Sequence, residues 1–400
     1  MEKQILKKIL GRDRSLFHND LAKYNSELDE KIAGKRILVV GAAGSIGSAF
    51  VKQLMLYRPK SVHLVDPAEN NLVELVRDLR SSSLQLPEDF MTISISMGSL
   101  MFSHFLESQK PYDHVVNFSA LKHVRVERDP FSLMQMLETN LFSLERLLRV
   151  LVIGGDSRVF SVSSDKAVNP ANLMGASKAL MEQLLFSFSS RVPYTTSRFA
   201  NVAFSDGSLL HGFGRRFEKG QPFSAPNDVK RFFISHEESG QLCLMACFLG
   251  VNRDIFIPRL DAKTDLITFS EIAELYLKER GFTPIQCGSD REAVAMAEAG
   301  NMYSSKEWPC YFSGSDTSGE KSQEEFVGPG EKVENGRFEG VDIIVTQPPE
   351  DDAALSQTIS ILEEIRDNEY WSTAEISDAI KISVPDLNHQ VTGRNLDQKM

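Results

Sequence analysis

The chain has 400 residues, 42% of them hydrophobic, enough to bury one large or two ordinary cores. Its formal net charge of −11 argues against a nucleic-acid partner, which would ask for a basic face, and gives no reason to expect an anionic membrane surface. A phosphorylated ligand would then have to be held by a local cluster of cations.

Cys243, Cys247, Cys287 and Cys310 form no Cys-x-x-Cys pair and have no histidine cluster near them, so reduced, buried thiols are expected and no metal site is read. The amino terminus, MEKQILKKILGRDRS, is charged throughout, and no uncharged apolar run approaches the roughly 18 residues of a spanning helix. A cytoplasmic protein without stable membrane insertion is expected.

Residues 1–33 place Ile5, Ile9, Leu10, Leu21, Leu28 and Ile32 at helical spacing, which predicts one or two amphipathic helices packed on the main domain or on a second subunit. From Gly34 the pattern turns to βαβ, and residues 34–204 read as a dinucleotide-binding domain. Arg36 to Val40 is a short apolar strand, followed by GAAGSIG and an amphipathic helix through Leu56. Gly41, Gly44 and Gly47, with Ser45 and Ile46 in the helix's first turn, would give a tight turn, backbone N–H groups close to a pyrophosphate, and close helix-to-strand packing. A purely structural glycine turn is the competing reading. SVHLVD then sets Asp66 at the tip of the second strand, where a carboxylate suits a ribose 2′-hydroxyl and repels a 2′-phosphate; NAD is expected rather than NADP.

Further strands are predicted near Met91 to Ser96, at His114 to Ala120 and at Arg158 to Ser163, with helices between them. The fold class is therefore α/β, a Rossmann doubly wound parallel sheet with a smaller mixed α/β substrate domain. Ser119 and Ala120 end the fourth strand beside the cofactor, and Lys122 and His123 follow it. A satisfied structural histidine is the competing reading of His123.

The stretch FSVSSDKAVNPANLMGASKALME, residues 160–182, carries the chemistry. Ser163, Ser164, Asp165 and Lys166 emerge together at a strand's carboxyl end, where open α/β sheets bind ligands. The helix that opens after Pro170 sets Met174 and Lys178 four residues apart on one face. A short-chain dehydrogenase would show Tyr-x-x-x-Lys at that spacing, so Met174 stands in the tyrosine's place.

Tyr194 to Phe204 reads as one further strand that carries Asn201. Residues 205–330 read as substrate-binding segments, beginning with a loop-rich stretch whose Arg215, Arg216, Lys219, Lys230 and Arg231 form a basic patch suited to a diphosphate. A solvated loop surface is the alternative. A Rossmann strand at Asp254 to Arg259, helices at Phe269 to Arg280 and Glu292 to Ala299, and a polar loop at residues 314–325, anchored by WPCYF, follow. Residues 331–400 form a C-terminal extension with a strand at Val341 to Thr346 and a long helix at Asp351 to Arg366.

With GAAGSIG, FSALKHVRVERDP, SSDKAVNP, MGASK, RFANVAFSDGS and SDTSGEK in this order, the chain resembles the nucleotide-sugar 4,6-dehydratases of the extended short-chain dehydrogenase superfamily. The likeness is greatest to soluble, configuration-retaining UDP-N-acetylglucosamine 4,6-dehydratases of bacterial surface-sugar pathways, and it runs through the LDQKM terminus. The resemblance implies a tightly bound NAD, a UDP-sugar substrate, a UDP-2-acetamido-2,6-dideoxy-4-ketohexose product and a homo-oligomer. It also matches Met174 to the retaining branch. Two positions depart from it: Ser164 stands where threonine is commoner, and Ser96 and Met97 replace the usual Gly-Asp adenine contact.

Dehydration at carbon 6 requires carbon 4 to become a ketone first, because the ketone acidifies the carbon 5 proton. Asp165 and Lys166 are expected to serve as acid and base, with Lys166 removing and returning the carbon 5 proton, if burial lowers the lysine's pKa and raises the aspartate's. Ser164 would bond the oxygen at carbon 4, Asp165 would take that hydroxyl's proton in the absence of a tyrosine, and Lys178 would hold the nicotinamide ribose. Lys122, His123 and Asn201 would contact the sugar. A 4-epimerase or a 5-epimerising dehydratase of a UDP-sugar would share the cofactor site. A dinucleotide-sensing protein without catalysis would have no use for Ser164, Asp165, Lys166 and Lys178 together.

Overall fold

The computed structural model describes residues 2–315, 321, 323–346 and 352–389, so most of the SDTSGEK motif and the whole LDQKM terminus lie outside the described residues. The first strands are β1 (Arg36–Val40), β2 (Ser61–Val65), β3 (Asp89–Ile93), β4 (His114–Asn117), β5 (Arg158–Val162) and β6 (Tyr194–Ser197). After them come β7 (Asn201–Val202), β8 (Phe223–Pro226), β9 (Lys230–Ile234), β10 (Asp254–Pro258), β11 (Leu266–Thr268), β12 (Thr283–Gln286), β13 (Glu307–Ser313), β14 (Lys332–Glu334) and β15 (Val341–Val345).

Among the described residues the main sheet has the order β14-β15-β10-β6-β5-β4-β1-β2-β3. Strands β1 to β6 and β10 run parallel, while β15 and β14 close one edge antiparallel. The strand order reverses between β1 and β4, which opens a crevice at their carboxyl ends. Helices cover both faces, so β2 and β4 are buried along their whole length, including the polar His63 and Asn117.

Four expectations shift. The third strand starts at Asp89 and ends at Ile93 instead of spanning 91–96; as an edge strand it is largely unburied, so hydrophobicity does not mark its ends. The fourth strand stops at Asn117, whose side-chain oxygen accepts from the Ser119 backbone N–H at 2.9 Å and turns the chain out before Ala120. The strand read over residues 194–204 is two: β6 stays in the main sheet, and β7 pairs with β9 in a separate three-stranded sheet. The stretch read as loop-rich contains a helix, Leu209–Glu218, whose Ser208 side chain caps it by accepting from the His211 N–H, and whose Leu210 and Phe213 are buried.

A second core lies beside the first. Phe213, Phe223, Tyr276 and Trp308 pack there with Ile5 and Ile9 of the N-terminal helix Glu2–Leu10. The next helix, His18–Ile32, buries Leu28 and Ile32 in the main core. At the far end of the chain, helices Ala353–Asp367 and Thr373–Ser383 lay Leu355, Leu362, Ile376 and Ile380 in one core with Leu180 and Leu184 of helix Leu173–Phe188. The four cysteines are buried and unpaired.

Candidate active site

The glycine loop is as tight as its spacing predicts. Gly41 has φ +71°, and a β-carbon there would lie 2.6 Å from the Ser119 backbone nitrogen. A β-carbon on Gly47 would lie 2.2 Å from the Gly41 carbonyl oxygen, so the helix Ser45–Leu54 can approach β1 only without one. This leaves a cradle of N–H groups at a helix N-terminus, the form that receives a dinucleotide pyrophosphate. Asp66 is buried at the tip of β2, and its two oxygens accept from the Ala43 and Ala68 backbone N–H groups, each at 2.9 Å. It shapes the loop directly, and each oxygen keeps a second lone pair for a ribose hydroxyl.

Gly41, Gly44, Ser45, Ile46, Gly47, Ala120, Lys122, Ser164, Asp165, Lys166, Met174, Lys178 and Asn201 all line one cleft of about 270 Å³. The Asn201 amide nitrogen is buried there without a hydrogen-bond partner among the described residues, an unsatisfied donor that a ligand oxygen would relieve. Ser119 and His123 are outside the lining; His123 is exposed and packs against Gly207.

Local structure explains how the reactive groups meet. Chain direction changes after β5 in a short 3-10 turn, Asp165–Ala167, capped by Ser164, whose hydroxyl accepts from the Lys166 N–H and donates to Asp165 Oδ1 at 2.8 Å. The helix Leu173–Phe188 starts against this turn. Asn172 accepts from the Gly175 N–H, and Glu127 accepts from the Met174 N–H at 2.8 Å. One turn on, the buried Lys178 ammonium donates to the Val162 carbonyl at 3.0 Å; burial pulls its pKa down to about 8, partly offset by Glu182.

Lys166 behaves differently from the expectation. Its ammonium lies 3.1 Å from Asp165 Oδ1 and 3.7 Å from Glu324 Oε1. Burial works against the charge, but the two carboxylates outweigh both burial and the nearby Arg231, and its pKa stands above lysine's ordinary value. The free protein therefore holds Lys166 as an ammonium. Burial alone would have brought the pKa down; Asp165 first and then Glu324 raise it, and nothing near Lys166 in the sequence announces Glu324.

The basic patch also divides. Arg215, Arg216 and Lys219 line a second cleft of about 600 Å³, together with Gly207 and Ser224. None of the three is ion-paired among the described residues, an open invitation to an anion in an acidic chain. Only Asp206 separates Gly207 from Ser205 in the first cleft's wall, and Asp206 accepts from Ser45 Oγ at 3.1 Å. Lys230 and Arg231 are not in that lining. Lys230 is exposed, and Arg231 is buried with its guanidinium 3.8 Å from Glu324. The alternation of β9 sends these neighbours to opposite sides.

Residues that sequence reasoning passed over complete the picture. Arg198 forks between Glu182 and Glu331, with nitrogen-to-oxygen distances of 2.6 to 3.0 Å, and also donates to the Phe326 carbonyl. It ties the segment carrying Glu324 to the helix that carries Lys178. Glu324 had read as a member of the polar loop 314–325 and Glu331 as part of the C-terminal extension, and neither was singled out. No group of metal-ligating side chains and no helix long and apolar enough to cross a membrane occurs among the described residues.

A family model described as polysaccharide biosynthesis protein matches residues 37–345. An uncharacterized membrane protein of Methanocaldococcus jannaschii is 31% identical over 61% of this chain and 71% of its own. The probable polysaccharide biosynthesis protein EpsC of Bacillus subtilis is 28% identical over 65% of this chain, and the match spans only 43% of that relative's length. A UDP-glucose 4-epimerase of Rickettsia bellii is 26% identical over 58% of this chain and 67% of its own. The X-ray structure of Pen from Bacillus thuringiensis shares the fold, with a TM-score of 0.64 and 20% identity over 79% of this chain and 88% of that one.

Proposed function

The chain belongs to the polysaccharide biosynthesis protein family, and from that premise we propose that it is an NAD-dependent UDP-N-acetylglucosamine 4,6-dehydratase that retains configuration at carbon 5. The observation that carries this reading is the single cleft in which the glycine cradle meets Ser164, Asp165, Lys166, Met174 and Lys178. The cation-lined cleft beside it suits the diphosphate of a nucleotide sugar.

Bound NAD would supply the hydride acceptor for carbon 4 and the donor for carbon 6. Around it, Gly41, Gly44, Ser45, Ile46 and Gly47 would receive the pyrophosphate, Asp66 the adenosine ribose and Lys178 the nicotinamide ribose. Ser164 would bond the carbon 4 oxygen and pass that hydroxyl's proton to Asp165, to which it already donates. Protonation of Asp165 removes the nearest counter-charge of Lys166, so burial then disfavours the ammonium and its proton leaves to solvent. Lys166 becomes a base only after carbon 4 is oxidised, which is when the carbon 5 proton is acidic. Asp165 then protonates the departing carbon 6 hydroxyl, Lys166 delivers a proton to carbon 5, and with Asp165 ionised again Lys166 takes a proton back from solvent. Water is the net loss.

A UDP-sugar 4-epimerase is the second reading, favoured by the relative from Rickettsia bellii. It makes no use of an acid–base pair beside Ser164. Incubation with UDP-N-acetylglucosamine followed by mass spectrometry separates the two: loss of one water is expected, and a product of unchanged mass would replace the dehydratase with the epimerase.

A further inference from the structure

The carboxylate of Glu324 is buried among three cations. Its Oε1 lies 3.7 Å from the Lys166 ammonium and 3.8 Å from the Arg231 guanidinium, and its Oε2, 3.8 Å from Lys321, accepts no hydrogen bond among the described residues. A buried carboxylate oxygen without a hydrogen bond is costly, so something other than local convenience keeps it there.

The chain around Glu324 is stitched to the turn that carries Lys166. Lys321 donates to the Val168 carbonyl at 2.7 Å, and the Asn169 amide donates to Glu325 at 3.1 Å. Both tethers end within three residues of Lys166, on either side of Glu324 in its own segment. Downstream, Arg198 holds the Phe326 carbonyl and Glu331. Glu324 is thus delivered to Lys166 by three separate attachments.

We propose that Glu324 is a positioning residue for the acid–base pair, a second carboxylate that fixes the Lys166 ammonium opposite Asp165 and keeps it charged while Asp165 is ionised. This rests on the roles given above to Asp165 and Lys166, but its test does not need turnover. The charged groups facing Lys166 are Asp165, Glu324 and Arg231, with Lys321 behind Glu324. Removing one carboxylate at this distance lowers a lysine's pKa by about one unit or more.

The experiment is competitive labelling of Lys166 amine in the full chain with formaldehyde and a hydride reagent, read by peptide mass spectrometry from neutral to strongly alkaline pH. Glu324→Gln should move the labelling midpoint of Lys166 down by about one pH unit, equivalent to about tenfold faster labelling below the midpoint. Glu324→Asp should restore part of the shift. Glu325→Ala, which cuts one tether and leaves Glu324 in place, should give a smaller shift of the same sign. A midpoint that stays put in Glu324→Gln, including labelling that rises equally at every pH because the amine is merely more exposed, overturns the proposal. A shifted midpoint in a protein that forms no dehydrated sugar would leave Glu324 as assigned and reject the dehydratase reading instead.

Discussion

A β-carbon on Gly175 would stand 2.3 Å from the carbonyl oxygen of Lys166. The helix that carries Met174 and Lys178 therefore seats against the Asp165–Lys166 turn only because residue 175 has no side chain, and backbone on both sides leaves nothing flexible to yield.

Gly175→Ala should push the helix start away from the turn. Overpacking of this kind costs roughly 1–3 kcal/mol, and the larger effect falls on catalysis, where a displacement of about 1 Å costs on the order of a hundredfold. Thermal melting and turnover number check both. Wild-type values in each would show that the contact is not a constraint.

Lys178 gives a pH dependence whose sign follows from its burial. Its folded pKa, about 8, lies below the unfolded value near 10.5, so between those values the unfolded chain binds the extra proton and stability rises with pH. Below about 8 both states are protonated and the full cost of burying the charge is present. Lys178→Met should remove this alkaline gain, seen by comparing melting temperatures at pH 8 and pH 10 for both proteins. If a charged Lys178 supports hydride transfer, single-turnover oxidation should also fall as pH passes about 8.

The cation-lined cleft makes a binding prediction. Truncating Arg216 to alanine should weaken a UDP-sugar by about ten- to a hundredfold, the worth of a charge-assisted contact of roughly 1.5–3 kcal/mol, while the turnover number changes little. Isothermal titration with UDP in low and high salt tests it. Lys230→Ala should leave affinity unchanged, since Lys230 is exposed and outside the lining.

What the sequence made legible was whatever rests on neighbours in the chain. β1 is an unbroken apolar run after Arg36 and β5 one broken only by Ser161 after Arg158, the glycine spacing dictates the loop, and Ser164 to Lys166 and Met174 to Lys178 are close enough in sequence for a turn and a helix to bring them together. The illegible parts depend on distant partners. Asp89 opens an edge strand that hydrophobicity does not mark, and the helix Leu209–Glu218 hides behind Gly212 and Gly214. Lys166 was expected to lose charge to burial, whereas Asp165 beside it and Glu324, from far along the chain, hold that charge, and Arg231 lies against the same Glu324 instead of in the diphosphate patch.

Stereochemistry at carbon 5 turns on Met174. After elimination carbon 5 is planar, and the face that receives the proton decides whether the product is D-xylo or L-arabino. Lys166 lies at one wall of the cleft and would both take and return the proton, so it works from one face and retains configuration. Inversion needs a donor on the other face. Met174 is almost fully buried and carries no exchangeable proton, and its backbone N–H is already given to Glu127, so the tyrosine position offers no such donor. Because the Lys166 ammonium exchanges its hydrogens with solvent before the return, the expected product in deuterated water is the D-xylo 4-ketone with a solvent deuteron at carbon 5. Proton NMR of the fresh product decides it through the couplings around carbon 5. An L-arabino product as the first species formed would show that a second donor exists, and Met174→Tyr would then be expected to change the ratio of epimers little.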